Sequence, residues 1–231
     1  MNTPIILPST LTFLTDLAQN NDREWFAENK SRYTTAHENM IAFVEELLQT
    51  MTTHDAINTP SGKKSLYRIY NDVRFSANKA PYKPRFAFGM QRATAQRRGG
   101  YYVHIQPGNN FLACGFFSPN PADLKRIRQD IEKNPETWRK LLNNKKTKQN
   151  FGTLSGSQVP TFPKGFSKEH EAIDLIRHKQ FILRHTFTDQ EILQEDFMQT
   201  IDLLFQEVRP FFDYLSIVLT TDLNGVNLLE N

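Results

Sequence analysis

Two runs of alternating side chains, Tyr101 to Gln106 and Phe111 to Phe117, are separated by Pro107-Gly108-Asn109-Asn110. A period of two on each side of turn-forming residues predicts an antiparallel hairpin. The alternation assigns Tyr102, His104 and Gln106 to one face and Tyr101, Val103 and Ile105 to the other. Gly115, inside the second run, marks a bulge or a close backbone approach. Phe86-Ala87-Phe88 reads as a strand before this hairpin, and Phe181 to Phe187 as one after it.

Helical spacing holds toward both ends. Ser9 or Thr10 caps a short helix with Leu11, Leu14 and Leu17 on one face. Asn21 and Glu24 form a capping box for a long helix to about Met51, with Phe26, Tyr33, Met40, Val44 and Leu47 in phase. Asn120-Pro121 and Asn134-Pro135-Glu136 open two further helices, and the lysines from Lys145 to Lys148 read as a solvated helix end. Thr188 and Glu191 form a second capping box, for a helix through Phe197, Ile201 and Val208 that Pro210 kinks or restarts. The expectation is an α+β fold, a central and largely antiparallel sheet flanked by N-terminal and C-terminal helices. Without internal repeats or a low-complexity linker, residues 1–231 read as a single α+β domain.

The chemistry concentrates between Leu66 and Phe88, where Arg68, Arg74, Lys79, Lys83 and Arg85 surround one acid, Asp72. Read as a strand, Arg68, Tyr70, Asp72, Arg74 and Ser76 share a face, with Tyr67, Ile69, Val73 and Phe75 on the other. Pro81 and Pro84 stiffen the loop that follows and hold Ala80 and Lys83 extended. Two guanidiniums steadied by a carboxylate keep donors for a phosphate or a carboxylate. The bland alternative is a structural ion-pair network on a sheet edge.

Charge is distributed unevenly. Residues 1–59 hold 3 basic and 8 acidic side chains, and residues 60–100 hold 10 and 1. Residues 101–186 hold 14 and 7, and residues 187–231 hold 1 and 9. A basic middle between acidic ends predicts a local positive patch, not the uniform charge of a general nucleic-acid binder. One cysteine, Cys114, excludes an intrachain disulfide and a Cys-rich zinc site. The start lacks signal-peptide features and no apolar run reaches the roughly 20 residues a span requires. The expectation is a cytoplasmic protein with no membrane contact.

Neither a phosphate-binding GxxxxGK[ST] loop nor GxGxxG, HExxH or GxSxG occurs. No cofactor and no metal site are expected. His104, on a sheet face beside the arginines, is the best general acid–base candidate.

The stretches Phe13–Tyr33, Arg68–Lys83 (RIYNDVRFSANKAPYK), Gly100–Gly108 (GYYVHIQPG), Pro119–Arg128 and Phe162–Phe181 together resemble a family catalogued as domain of unknown function 2461. The resemblance implies a single α+β domain and supplies no activity, cofactor or catalytic residue. It assigns Arg68, Asp72, Arg74, Lys79, Tyr82 and Lys83 to the family's signature. Asn21, Arg23, Asn29 and Lys30 belong to its N-terminal motif, and Lys164, Gly165 and Lys179 to a later one. A shared pocket for the three motifs is the expectation.

The leading functional expectation is a site for a phosphorylated or carboxylated small molecule, in a binding protein or an enzyme. Arg68, Arg74, Lys79 and Lys83 would clamp the anion, Asp72 orient the arginines, and Tyr82 or Tyr102 stack or donate. The alternatives are a nucleic-acid-binding protein using the Tyr-rich basic strands and a scaffold whose charges are structural. The sequence does not specify an oligomeric state.

Overall fold

The computed structural model describes residues 4–72, 74, 79–94, 97–221 and 226. The N-terminal elements are helices α1 (Pro8–Gln19), α2 (Arg23–Glu28), α3 (Lys30–Thr52) and a single turn, α4 (Gly62–Ser65). Strands β1 (Phe86–Gln91), β2 (Gly100–Ile105) and β3 (Asn110–Phe116) follow. Next come α5 (Pro121–Lys133), α6 (Pro135–Leu142), α7 (Lys145–Phe151) and α8 (Ile173–Ile176). The chain then forms β4 (Phe181–Phe187), α9 (Phe197–Glu207) and α10 (Arg209–Thr220). The strands make one antiparallel sheet in the order β1-β2-β3-β4, and the fold is α+β with this sheet at its centre. No helix among the described residues is long and apolar enough to cross a membrane.

The backbone clusters into two compact units. The first comprises the described residues of Met1–Met90, Tyr102–Leu112 and Thr186–Asp202. Its core is built by α1 and α3, whose Leu14, Leu17, Met40, Val44, Leu47 and Met51 are fully buried at helical spacing. The expected single helix from Asn21 is in fact two. Asn29 ends α2, donating from Nδ2 to the Trp25 carbonyl and accepting from Arg32, and α3 starts anew at Lys30. Asp22, not Asn21, caps α2 by accepting from Trp25 N. Helix α1 also begins earlier than expected, at Pro8, with no side-chain cap. Phe26 of α2 gathers Phe13, Tyr33, Tyr70 and Tyr82 about its ring, and Tyr82 stacks on it at 3.9 Å. The Thr188–Glu191 box forms with reciprocal bonds, yet it opens only a short 3-10 turn, Glu191–Leu193.

The second unit comprises Gln91–Tyr101, Ala113–His185 and the described residues of Leu203–Asn231. Trp138 of α6 is 0% exposed and meets Phe181, Phe211 and Tyr214. Asp130 of α5 satisfies the polar tips of two of these rings, accepting from Trp138 Nε1 and Tyr214 Oη at 2.7 Å each. Pro210 restarts the last helix, at α10. Arg92, in the polar segment after β1, is packed into this core. Its side chain is 2% exposed, lies over the Phe212 ring and pairs with Asp213. The lysine run also differs from expectation, since it opens α7 instead of closing α6. Asn144 caps it by accepting from Lys146 N, and burial of Thr147 and Phe151 outweighs cations at the positive end of so short a dipole.

Candidate functional site

Residues Leu66 to Asp72 do not form the regular strand expected of them. They pair antiparallel with Tyr82 to Phe88 through two isolated bridges, Leu66 with Phe88 and Tyr70 with Tyr82. Four steps on one side therefore oppose six on the other, and Pro84, which has no N–H to donate, falls within the longer side. Where the ladder loses register, Lys83 replaces it: Nζ donates to the Arg68 carbonyl at 3.1 Å and the Tyr70 carbonyl at 2.8 Å. Val73 and Phe75–Asn78 lie outside the described residues, so the other half of the expected strand, Arg74 excepted, and the start of the loop do too.

The far end of this arm is fixed by amide side chains. Asn21 donates from Nδ2 to the Tyr82 carbonyl at 2.9 Å and accepts from Tyr82 N at 3.0 Å. Asn71 donates to the carbonyls of Ala80 and Tyr82. Asn21 thus acts as one residue of a β-partner. Asn21→Ala is expected to lower unfolding free energy by about 2 kcal/mol, because two backbone groups lose their partner. Urea denaturation would measure this, and an unchanged midpoint would mean that the bonds hold nothing.

Between the arm, its returning segment and β2 lies a cavity of about 350 Å³ lined by Tyr67, Arg68, Lys83, Arg85, Ala87 and Tyr102. Among the described residues, three cations share it and no acid lines it. Neither the Arg68 nor the Arg85 guanidinium has a hydrogen bond or ion pair among the described residues. The Lys83 pKa is lowered by burial and then by the charges of Arg85 and Arg68. Tyr102 has its pKa raised by burial, with Arg85 acting in the opposite direction. The rings of Tyr67 and Tyr102 lie 6.1 Å apart, and Tyr67 is 57% exposed at the lip.

Behind Tyr102, β2 presents the expected face. Tyr102 Oη is 3.1 Å from His104 Nδ1, and His104 Nε2 is 3.1 Å from Gln106 Oε1. His104 is buried and stacks on Phe111 at 4.6 Å. With Gln106 Oε1 accepting from Nε2–H, Nδ1 accepts a hydrogen bond from the Tyr102 hydroxyl. His104 does not line the cavity, so its influence there passes through Tyr102.

The other expected site residues lie elsewhere in the first unit. Asp72 and Arg74 pair with each other in the open, Nε to Oδ1 at 3.0 Å and Nη2 to Oδ2 at 2.7 Å, with the Arg74 side chain 76% exposed. These bonds to Arg74, with Arg68 adding to them, lower the Asp72 pKa. Lys79 is exposed, while Tyr82 is 6% exposed and packed on Phe26. Of the six signature residues, Arg68 and Lys83 line the cavity. Arg85 and Tyr67, not assigned to the leading site from sequence, line it as well. Arg23 and Lys30 belong to this unit without lining the cavity, Lys30 lying over the Phe26 and Tyr33 rings. Lys164, Gly165 and Lys179 belong to the second unit. No cluster of three or more His, Cys, Asp or Glu side chains among the described residues is placed to hold a metal.

Comparison with curated proteins and with solved structures finds no match. A family model, in contrast, covers the arm, the hairpin and most of the helices. Its match over residues 9–214 shows that the chain belongs to the family described as Conserved hypothetical protein (DUF2461).

Proposed function

We propose that the protein binds a small phosphorylated or carboxylated molecule in the cavity between the arm and β2. One observation carries this reading: Arg68, Lys83 and Arg85 share a concave space that no acid among the described residues lines. Like charges held together without a counterion oppose folding, and a bound anion removes that cost. Arg68 and Arg85 supply forked donors and Lys83 a point charge, while the one Tyr102 O–H is directed to His104 and not to the anion. If the molecule is an enzyme, Tyr102 is its proton-handling group, and His104 a positioning residue behind it. The cytoplasm is the compartment this reading assumes, where phosphorylated metabolites are abundant and Cys114 stays reduced.

The test is calorimetric titration with inorganic phosphate, small dicarboxylates and a single-stranded oligonucleotide at several salt concentrations. The expected result is saturable one-to-one binding of a small anion. Oligonucleotide binding that falls steeply with salt, with no small-anion binding, would instead establish the nucleic-acid reading. If neither ligand binds, the charges are structural and the scaffold reading stands.

A further inference from the structure

We infer that the ligand of this cavity presents a dianion, the head group of a phosphomonoester, and not a single carboxylate. The inference rests on the anion-binding reading above and narrows it.

The first argument is charge. Three cations line the cavity, and the chain contains no Asp or Glu between Asp72 and Asp123. The arm after Asp72, the returning segment and the hairpin therefore bring no acid of their own. Asp72, the nearest acid before that stretch, does not line the cavity; it is held by Arg74 through both carboxylate oxygens and meets Arg68 only as a weaker, secondary charge. A monoanion would leave two of the three charges uncompensated, and a dianion leaves one. Burial depresses the Lys83 pKa first, and the charges of Arg85 and Arg68 depress it further.

The second argument is geometry. Lys83 has spent two of its three N–H donors on the Arg68 and Tyr70 carbonyls, leaving one. Arg68 and Arg85 each carry a fork of five N–H donors. These donors sit on three separate side chains, from two backbone segments. A phosphate offers three oxygens in different directions, one for each donor group, whereas the two coplanar oxygens of a carboxylate match a single fork. The cavity of about 350 Å³ is larger than a phosphate group. The remaining space, beside the exposed face of Tyr67, takes the esterified organic part.

The experiment is calorimetric titration of the full chain with inorganic phosphate, sulfate and acetate between pH 5 and pH 7. Inorganic phosphate gains its second charge near pH 7, about one unit above the value of about 6 for a phosphomonoester, so its affinity is expected to rise about 50-fold over this range. Sulfate is dianionic throughout and is expected to change by less than about twofold, while acetate binds at least about tenfold more weakly than sulfate. The groups around the ligand are Arg68, Lys83, Arg85, Tyr67 and Tyr102, with His104 behind Tyr102 and the Asp72–Arg74 pair on the arm. A change of charge in any of them moves sulfate and phosphate alike, which makes sulfate the internal control. Acetate binding as tightly as sulfate, or phosphate affinity that is flat with pH, overturns the dianion assignment and leaves the anion site in place. Failure of all three ions to bind overturns the anion site itself.

Discussion

Gly115→Ala is expected to destabilise the protein by about 4 kcal/mol or more, enough to prevent folding in a domain of ordinary stability. Gly115 sits in β3 with φ +147°, and a Cβ built there would lie 2.0 Å from the Phe181 carbonyl oxygen and 2.9 Å from Ile182 Cα. Both neighbours are backbone atoms of β4, so no side chain can rotate away to make room. Relief requires parting β3 from β4, where Cys114, Phe181 and Leu183 are almost fully buried. Gly108 provides the control. It also has positive φ, +74°, but nothing stands within 4 Å of its added Cβ. Gly108→Ala should cost only the left-handed backbone penalty, about 1–2 kcal/mol. Guanidinium denaturation of both variants separates the effects, and equal losses would show that close approach plays no part at Gly115.

That glycine was legible in the sequence because an alternating strand has no other use for a residue without a side chain. The hairpin around it was equally legible, as were the Asn120 cap, which accepts from Asp123 N, and the restart at Pro210. Each is encoded within a few residues of itself. What the sequence hid depends on distant partners. The break at Asn29 lies inside an unbroken helical pattern, and the arm looked like a strand because its side chains alternate. Its register is lost at Pro84, and the substitute bonds come from Lys83 and from Asn21, 61 positions away from Tyr82. The site divides along the same line. The Asp72–Arg74 pair is local and could be read from spacing, and so could the Tyr102–His104–Gln106 row. Tyr82 was a reasonable stacking residue until Phe26 took its face. Arg85 and Tyr67 enter the cavity only because the seven residues 82–88 fold against the five residues 66–70, which spacing within either segment does not announce.

Arg85→Glu separates a binding site from a structural network, because the two readings predict opposite signs for stability. In a structural network Arg85 contributes ion pairs, and its reversal lowers the melting temperature. In an unfilled anion site it is one of three mutually repelling cations, and its reversal raises the melting temperature or leaves it unchanged while removing the ligand. The behaviour of Lys83 supports the second sign. Burial first, and then the charges of Arg85 and Arg68, hold its pKa below the ordinary lysine value of 10.5, so the folded state gives up this proton more readily than the unfolded chain. The corresponding penalty is fully present at neutral pH, where the ammonium is charged in both states, and eases only as pH rises toward 10.5. A glutamate at position 85 removes the larger of the two neighbouring charges that lower it and adds attraction in its place. For binding, the loss of a charged fork costs about 1.5–3 kcal/mol, and the new negative charge adds repulsion. Affinity for phosphate is therefore expected to fall by about 100-fold or more. The measurement pairs titration calorimetry with a melting curve on the same variant. Lower affinity at equal or higher stability identifies Arg85 as a ligand contact, and unchanged affinity with a lower melting point identifies it as a structural charge.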